Sequence, residues 1–182
     1  MSAISFRLGT DADADALARF MTRNFLAAYG DCSTPENVAA AVAKHYGVVA
    51  QRRQLGDPAR INLLAEVDGR LAGHAQLHVG GETPPEVAPL PSVEVARFYV
   101  DVDFHGRGIA QEMMAQSRRL AAQRGGASLW LSCWQEQPQA LRFYEKEGFR
   151  IAGALVFVVG DDPKDDWLMV SPLGSPPAPP PA

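Results

Sequence analysis

The run from Val93 to Met114, "VEVARFYVDVDFHGRGIAQEMM", constrains the fold more than any other stretch of the chain. Its first half has the β-branched and aromatic content of a strand. Its second half opens a helix whose buried stripe is Ile109, Met113, Met114, Leu120 and Ala121. Between them lies a short loop carrying Gly106 and Gly108. The first turn of a helix offers N–H groups without partners at the positive end of the dipole, and such donors suit a pyrophosphate. Glycine at 106 and 108 removes side chains that would hold an anion off the backbone. Arg107 adds a positive charge, and Ala110 is small enough for the helix to lie close on a sheet. The loop is not the dinucleotide fingerprint, because Gln111 stands where a third small residue would be, and it lacks the G-K-[ST] of a Walker loop. On the residues alone, a tight strand–helix turn without ligand stays open.

The flanking pattern extends this unit. "ISFRL" reads as a first strand, and "TDADADALARFMTRNFLAAYG" as a helix capped by Thr10 and stopped at Gly30. A second helix starts at Thr34-Pro35 and is expected to run to about Gln54. "INLLAEVDGRLAGHAQLHVG" is a hairpin turning at Asp68-Gly69. "ASLWLSCW" follows the glycine-loop helix as a strand, "PQALRFYEKEG" as a short helix, and "RIAGALVFVVG" and "DWLMVSPL" as two closing strands joined by a "DDPKD" loop. Strands Val93–Asp101 and Ala127–Trp134 flank one helix and should be parallel through a right-handed crossover. The expected class is therefore mixed α/β, with about seven strands in one sheet and helices on both faces.

With 182 residues the chain suits one domain, taken as 1–173, followed by a proline-rich tail at 174–182 that cannot build a core. A net charge of −4 argues against nucleic acid as the main partner. No apolar run is long enough for a bilayer, and the start lacks the pattern of a secretory signal, so no membrane partner is expected. Cys32 and Cys133 suggest neither a disulfide framework nor a metal site, which points to a reduced, cytoplasmic setting.

Two blocks carry a family likeness. "HGRGIA" resembles the [QR]-x-x-G-x-[GA] loop of the GNAT superfamily of N-acetyltransferases, with His105 in place of Gln or Arg. "QPQALRFYEKEGF" resembles that family's N-x-x-A-x-x-F-Y-E-K-x-G-F, with Gln137 in place of Asn. The resemblance spans residue 4 to about 173. The first half also resembles, more loosely, a bacterial branch that includes polyamine acetyltransferases. The likeness implies acetyl-CoA as co-substrate, its pyrophosphate held by His105, Gly106, Arg107, Gly108, Ile109 and Ala110. It implies a pantetheine arm paired with the backbone of Phe98, Tyr99 and Val100, with Gln137 and Tyr144 completing the coenzyme site. A homodimer is possible, and a small-molecule amine is the expected acceptor. A protein amine, or an acyl-CoA sensor without turnover, are the alternatives.

Acetyl transfer to an amine needs a proton acceptor, donors for the carbonyl oxygen and a partner for the departing thiolate. The likeness gives the last task to Tyr144. Glu94 is the first candidate base, on the expectation that it shares a strand face with Ala96, Phe98 and Val100. His74, His78 or water are the competitors. Four residues on a strand span about 13 Å, too far for the two histidines to share one metal, so no metal is expected. The backbone N–H of Phe98 or of a neighbour is the candidate donor for the carbonyl oxygen. Cys133 as nucleophile lacks an evident histidine partner, and Trp134 is a candidate wall of the acceptor pocket, with Trp130 read as core.

Overall fold

A computed structural model of the protein describes residues 3–174. The tail therefore lies outside the described residues from 175 onward. Seven strands form one sheet in the order β1-β2-β3-β4-β5-β7-β6. The strands are β1 (Ile4–Leu8), β2 (Arg60–Val67), β3 (Arg70–Val79), β4 (Ser92–Val100), β5 (Ser128–Trp134), β6 (Arg150–Val159) and β7 (Asp162–Pro172). The helices are α1 (Ala14–Tyr29), α2 (Pro35–His45), α3 (Val48–Leu55), α4 (Ile109–Gln123) and α5 (Pro138–Lys146). β4 and β5 run parallel, and every other neighbouring pair is antiparallel.

One face of the sheet is covered by α4 and α5. There Val93, Val95, Met114, Ala121, Leu129, Leu131 and Tyr144 form one apolar cluster, and Ile109 and Met113 pack on Ala65, Ala72 and Ala75 in another. The opposite face is covered by α1 and α2, whose Leu17, Phe20, Met21, Phe25, Val38 and Ala41 meet Leu64, Tyr46 and Val159. The proline-rich loop after β3 closes the rest of that face, setting Val87 against Trp130, Leu168 and Val170. The hairpin of β2 and β3 turns at Asp68-Gly69 with φ of 48° and 77°, the two positive values a two-residue turn of this type requires.

Two expected elements differ. The single helix expected from Thr34 to Gln54 is two, broken at Tyr46-Gly47. Gly47 is extended at φ −66°, ψ 162° and starts α3. The break lets Tyr46 turn inward, 2% exposed, with its ring 4.7 Å from that of Phe25. The expected "DDPKD" loop is the beginning of β7, which starts at Asp162. Pro163 is tolerated there because β7 pairs with β6 on one side while its pairing with β5 begins only at Asp166.

Candidate active site

The pairing of β4 with β5 covers only Ser92–Glu94 against Ser128–Trp130. Beyond Glu94, β4 stays with β3 and β5 stays with β7, so the sheet forks and the backbone of Val95–Val100 has no β5 partner. The fork opens a cleft of about 490 Å³ that reaches both faces of the sheet. Its walls include Phe98, Tyr99 and Val100, the turn residues His105, Gly106, Gly108, Ile109 and Ala110, and Gln137 and Tyr144. The structure thus brings together all the predicted coenzyme residues except Arg107. That guanidinium lies over the Phe104 ring at 5.4 Å, outside the cleft lining.

The turn owes its shape to its glycines. Gly106 and Gly108 have φ of 75° and 77°, a conformation that side-chain-bearing residues adopt at a cost. A Cβ at either position would meet nothing within 4 Å, so the demand is on the backbone and not on space. Gly108 ends the turn as the N-cap of α4, and the first amide to bond back into the helix is that of Glu112, to the Gly108 carbonyl at 3.1 Å. The amides of Ile109, Ala110 and Gln111 therefore have no helical acceptor. His105 is committed locally: its Nε2 donates to the Val100 carbonyl at 2.9 Å, fastening the turn to the end of β4. Gln137 is also occupied, its Nε2 donating to the Ala28 carbonyl at 2.8 Å and so tying α5 to α1.

Tyr144 lies on the α5 side of the fork. Its ring is held by Phe98, Phe143 and Phe149, with centroids 6.2, 5.4 and 5.7 Å away. The hydroxyl makes no hydrogen bond to another described residue, and the side chain borders the cleft. Burial pushes its pKa well above the ordinary phenol value, with smaller contributions in the same direction from Cys133 and Tyr29. At neutral pH it is a proton donor and not a phenolate.

Glu94 is placed differently. Gln76 pairs with Arg97 and Leu77 with Val95, so Ala96 is an extra residue, a β-bulge in β4. The bulge resets the alternation. Val93, Val95 and Phe98 pack on the α4 side, whereas Glu94 and Arg97 line a recess of about 400 Å³ on the other face. The expected face shared by Glu94, Phe98 and Val100 is therefore corrected by the bulge. In that recess the Glu94 carboxylate sits 3.3 Å from His78 Nδ1. Ala96 and Arg97 line both this recess and the main cleft.

His74 is wholly buried between Met21 Sδ and Asn62 Oδ1, each 3.1 Å away. Burial pushes its pKa down to about 3. It borders neither recess, so it is a neutral core histidine and not a candidate base. Cys133 is buried, its thiol pushed up to about 12 by burial, and among the described residues it has no histidine partner. Trp130 is core, as expected, and Trp134 walls the cleft, its ring 5.9 Å from that of Tyr29. Among the described residues no three His, Cys, Asp or Glu side chains are grouped to hold a metal, and no helix is long and apolar enough to cross a membrane.

The chain is similar to known proteins in sequence and in fold. Residues 17–149 match the acetyltransferase (GNAT) family. An uncharacterized N-acetyltransferase of Mycobacterium tuberculosis H37Rv is 34% identical over 161 residues, covering 88% of this chain and 98% of that protein. This chain belongs to the GNAT family. An uncharacterized N-acetyltransferase from Lactobacillus delbrueckii subsp. lactis is 27% identical over 145 residues, covering 80% of this chain and 83% of the relative. The PaiA N-acetyltransferase of Thermoplasma acidophilum, solved with coenzyme A, shares the fold at a TM-score of 0.75 and 15% identity, covering 93% of this chain and 99% of that one.

Several residues of this GNAT site were not singled out by sequence. Tyr29, Tyr46, Arg97, Lys164 and Asp166 line the cleft on the α1 face. Asp166 lies in the run "DDPKDD", whose acidic groups, like those of "TDADAD", read by sequence either as an attraction for a cationic amine such as a polyamine or as a solvated loop, with no residue marked off from its neighbours. Arg23 of α1 reaches Asp101 at 2.5 Å and Asp103 at 3.0 Å, binding the start of the glycine turn to the helix. Asp101 is 2% exposed and also accepts from the Asp103 amide, so it holds both ends of that contact.

Proposed function

We propose that the protein transfers an acetyl group from acetyl-CoA to a primary amine of a small molecule, by direct attack while both are bound. The observation that carries this is the fork after Glu94 and Trp130, with the Gly106–Ala110 turn at its mouth and Tyr144 in its wall. The residues fit an acyl-CoA. The Ile109, Ala110 and Gln111 amides are free for a diphosphate. The unpaired β4 edge from Val95 to Val100 offers backbone groups to a pantetheine amide. Acetyl-CoA, when bound, supplies the activated acyl carbon.

The remaining chemistry belongs to the chain. The amine nitrogen bonds to the acyl carbon as the carbon–sulfur bond breaks, and the departing sulfur needs a hydrogen-bond donor. Tyr144 takes that role: its raised pKa keeps the proton on the phenol. The Phe98 amide is the proposed donor to the carbonyl oxygen. Glu94, two residues before the bulge, takes the amine's proton through water, its recess and the cleft having Ala96 and Arg97 in common as wall residues. The free cysteines Cys32 and Cys133 go with a reduced, cytoplasmic setting.

The test is calorimetry with acetyl-CoA, followed by thiol release with an amine panel for wild type and Tyr144→Phe. Binding without turnover by any amine would favour a sensor. Unchanged kcat in Tyr144→Phe would remove the tyrosine from the reaction.

A further inference from the structure

On the α1 face of the cleft stands a carboxylate with an unmet need. Asp166 is 5% exposed, and its Oδ1 is buried without a hydrogen-bond partner among the described residues. It lines the cleft beside Trp134, its register partner on β5. Only the Ser132 hydroxyl favours its charge, while burial and Asp165 work against it. A buried carboxylate left in this way is costly unless a cation completes it. Its nearest cation along β7, Lys164, is committed to Asp162 at 2.8 Å.

The surroundings specify what completes it. The rings of Tyr46, Phe25, Tyr29 and Trp134 follow one another at 4.7, 5.4 and 5.9 Å along the cleft wall. Carboxylate at one end and ring faces beside it are the two partners an alkylammonium prefers, one for its charge and hydrogens and one for its carbon body and cation–π contact. At the other end of this row the Arg97 guanidinium lies over Tyr46 at 5.5 Å, with no carboxylate within ion-pair distance among the described residues. A second ammonium extended along the wall would meet that positive charge.

We infer that Asp166 receives the ammonium group of the acceptor on entry, before water carries one of its protons to Glu94 and the free amine attacks, and that the acceptor is a monoamine with an apolar or aromatic body and not a polyamine. This rests on the transferase function proposed above and names its substrate class. The test uses the full chain, with 2-phenylethylamine, hexylamine and spermidine as acceptors in thiol release, and acetyl-CoA in calorimetry. The monoamines should exceed spermidine in kcat/KM. Asp166→Asn, which keeps shape and removes charge, should raise KM for 2-phenylethylamine about 10- to 100-fold, the loss of one charge-assisted hydrogen bond. Its acetyl-CoA Kd should stay within about twofold and its Tm should not fall. Trp134→Leu should raise KM for 2-phenylethylamine more than for hexylamine. An unchanged KM in Asp166→Asn, a preference for spermidine, or acetyl-CoA binding without turnover of either monoamine would each overturn the inference. Failure to bind acetyl-CoA would instead sink the transferase function itself.

Discussion

His74 makes the protein lose stability in mild acid, by an amount that follows from its burial. The side chain is 0% exposed and its pKa is pushed down to about 3. In the unfolded chain it takes up a proton near pH 6.5. Between those values the unfolded state holds one more proton than the folded state, so stability falls as pH falls. The slope approaches 1.36 kcal/mol per pH unit, and from pH 8 to pH 5 the loss is about 2 kcal/mol. For a domain of this size that lowers Tm by about 4–8 °C. His45, also held down, mainly by burial, contributes with the same sign. Urea denaturation at pH 8, 7, 6 and 5 stays above most carboxylate titration. His74→Gln should be less stable than wild type at pH 8 but should lose most of the slope. A variant that keeps the full wild-type change in stability between pH 8 and pH 5 would refute a neutral buried imidazole.

Other expectations follow from single contacts. Gly108→Ala forces a Cβ-bearing residue to φ 77° and should cost about 1–2 kcal/mol by thermal melting, with weaker acetyl-CoA binding because the amides after it lose their aim. Gly73→Ala places a Cβ 2.5 Å from the buried Met113 Sδ and should lower stability by about 1–3 kcal/mol, with acetyl-CoA affinity little changed. Arg23→Ala leaves the buried Asp101 without its guanidinium, and should loosen the glycine turn, read as faster amide exchange at residues 102–108 and a higher Kd for acetyl-CoA. For Asp166, the folded pKa is raised, chiefly by burial, so ionisation costs stability above it. Asp166→Asn should therefore raise Tm at pH 8, and the gain should vanish near pH 3, where the carboxyl is protonated in both states.

The parts of this protein written in short local patterns were legible in the sequence. Asp68-Gly69 specifies its turn because only certain residues tolerate two positive φ values. Gly106 and Gly108 specify theirs for the same reason, and the Gly108 turn starts a helix whose free amides follow from helix geometry alone. The order of strands and helices, and the parallel pair at the centre, came from hydrophobic period and crossover handedness, which are also local or nearly so. What only the tertiary structure decided depends on how strands far apart in sequence register. The extra residue Ala96 in β4 moved Glu94 to the face opposite Phe98, and no periodicity within β4 announces a bulge set by pairing with β3. The polar run at 161–166 reads as a loop by composition, yet β6 pairs with it and sets Lys164 and Asp166 against the cleft. Burial of Asp166 and His74 arises from helices and strands that enclose them from elsewhere in the chain, so their charge states belong to the fold and not to any segment of sequence.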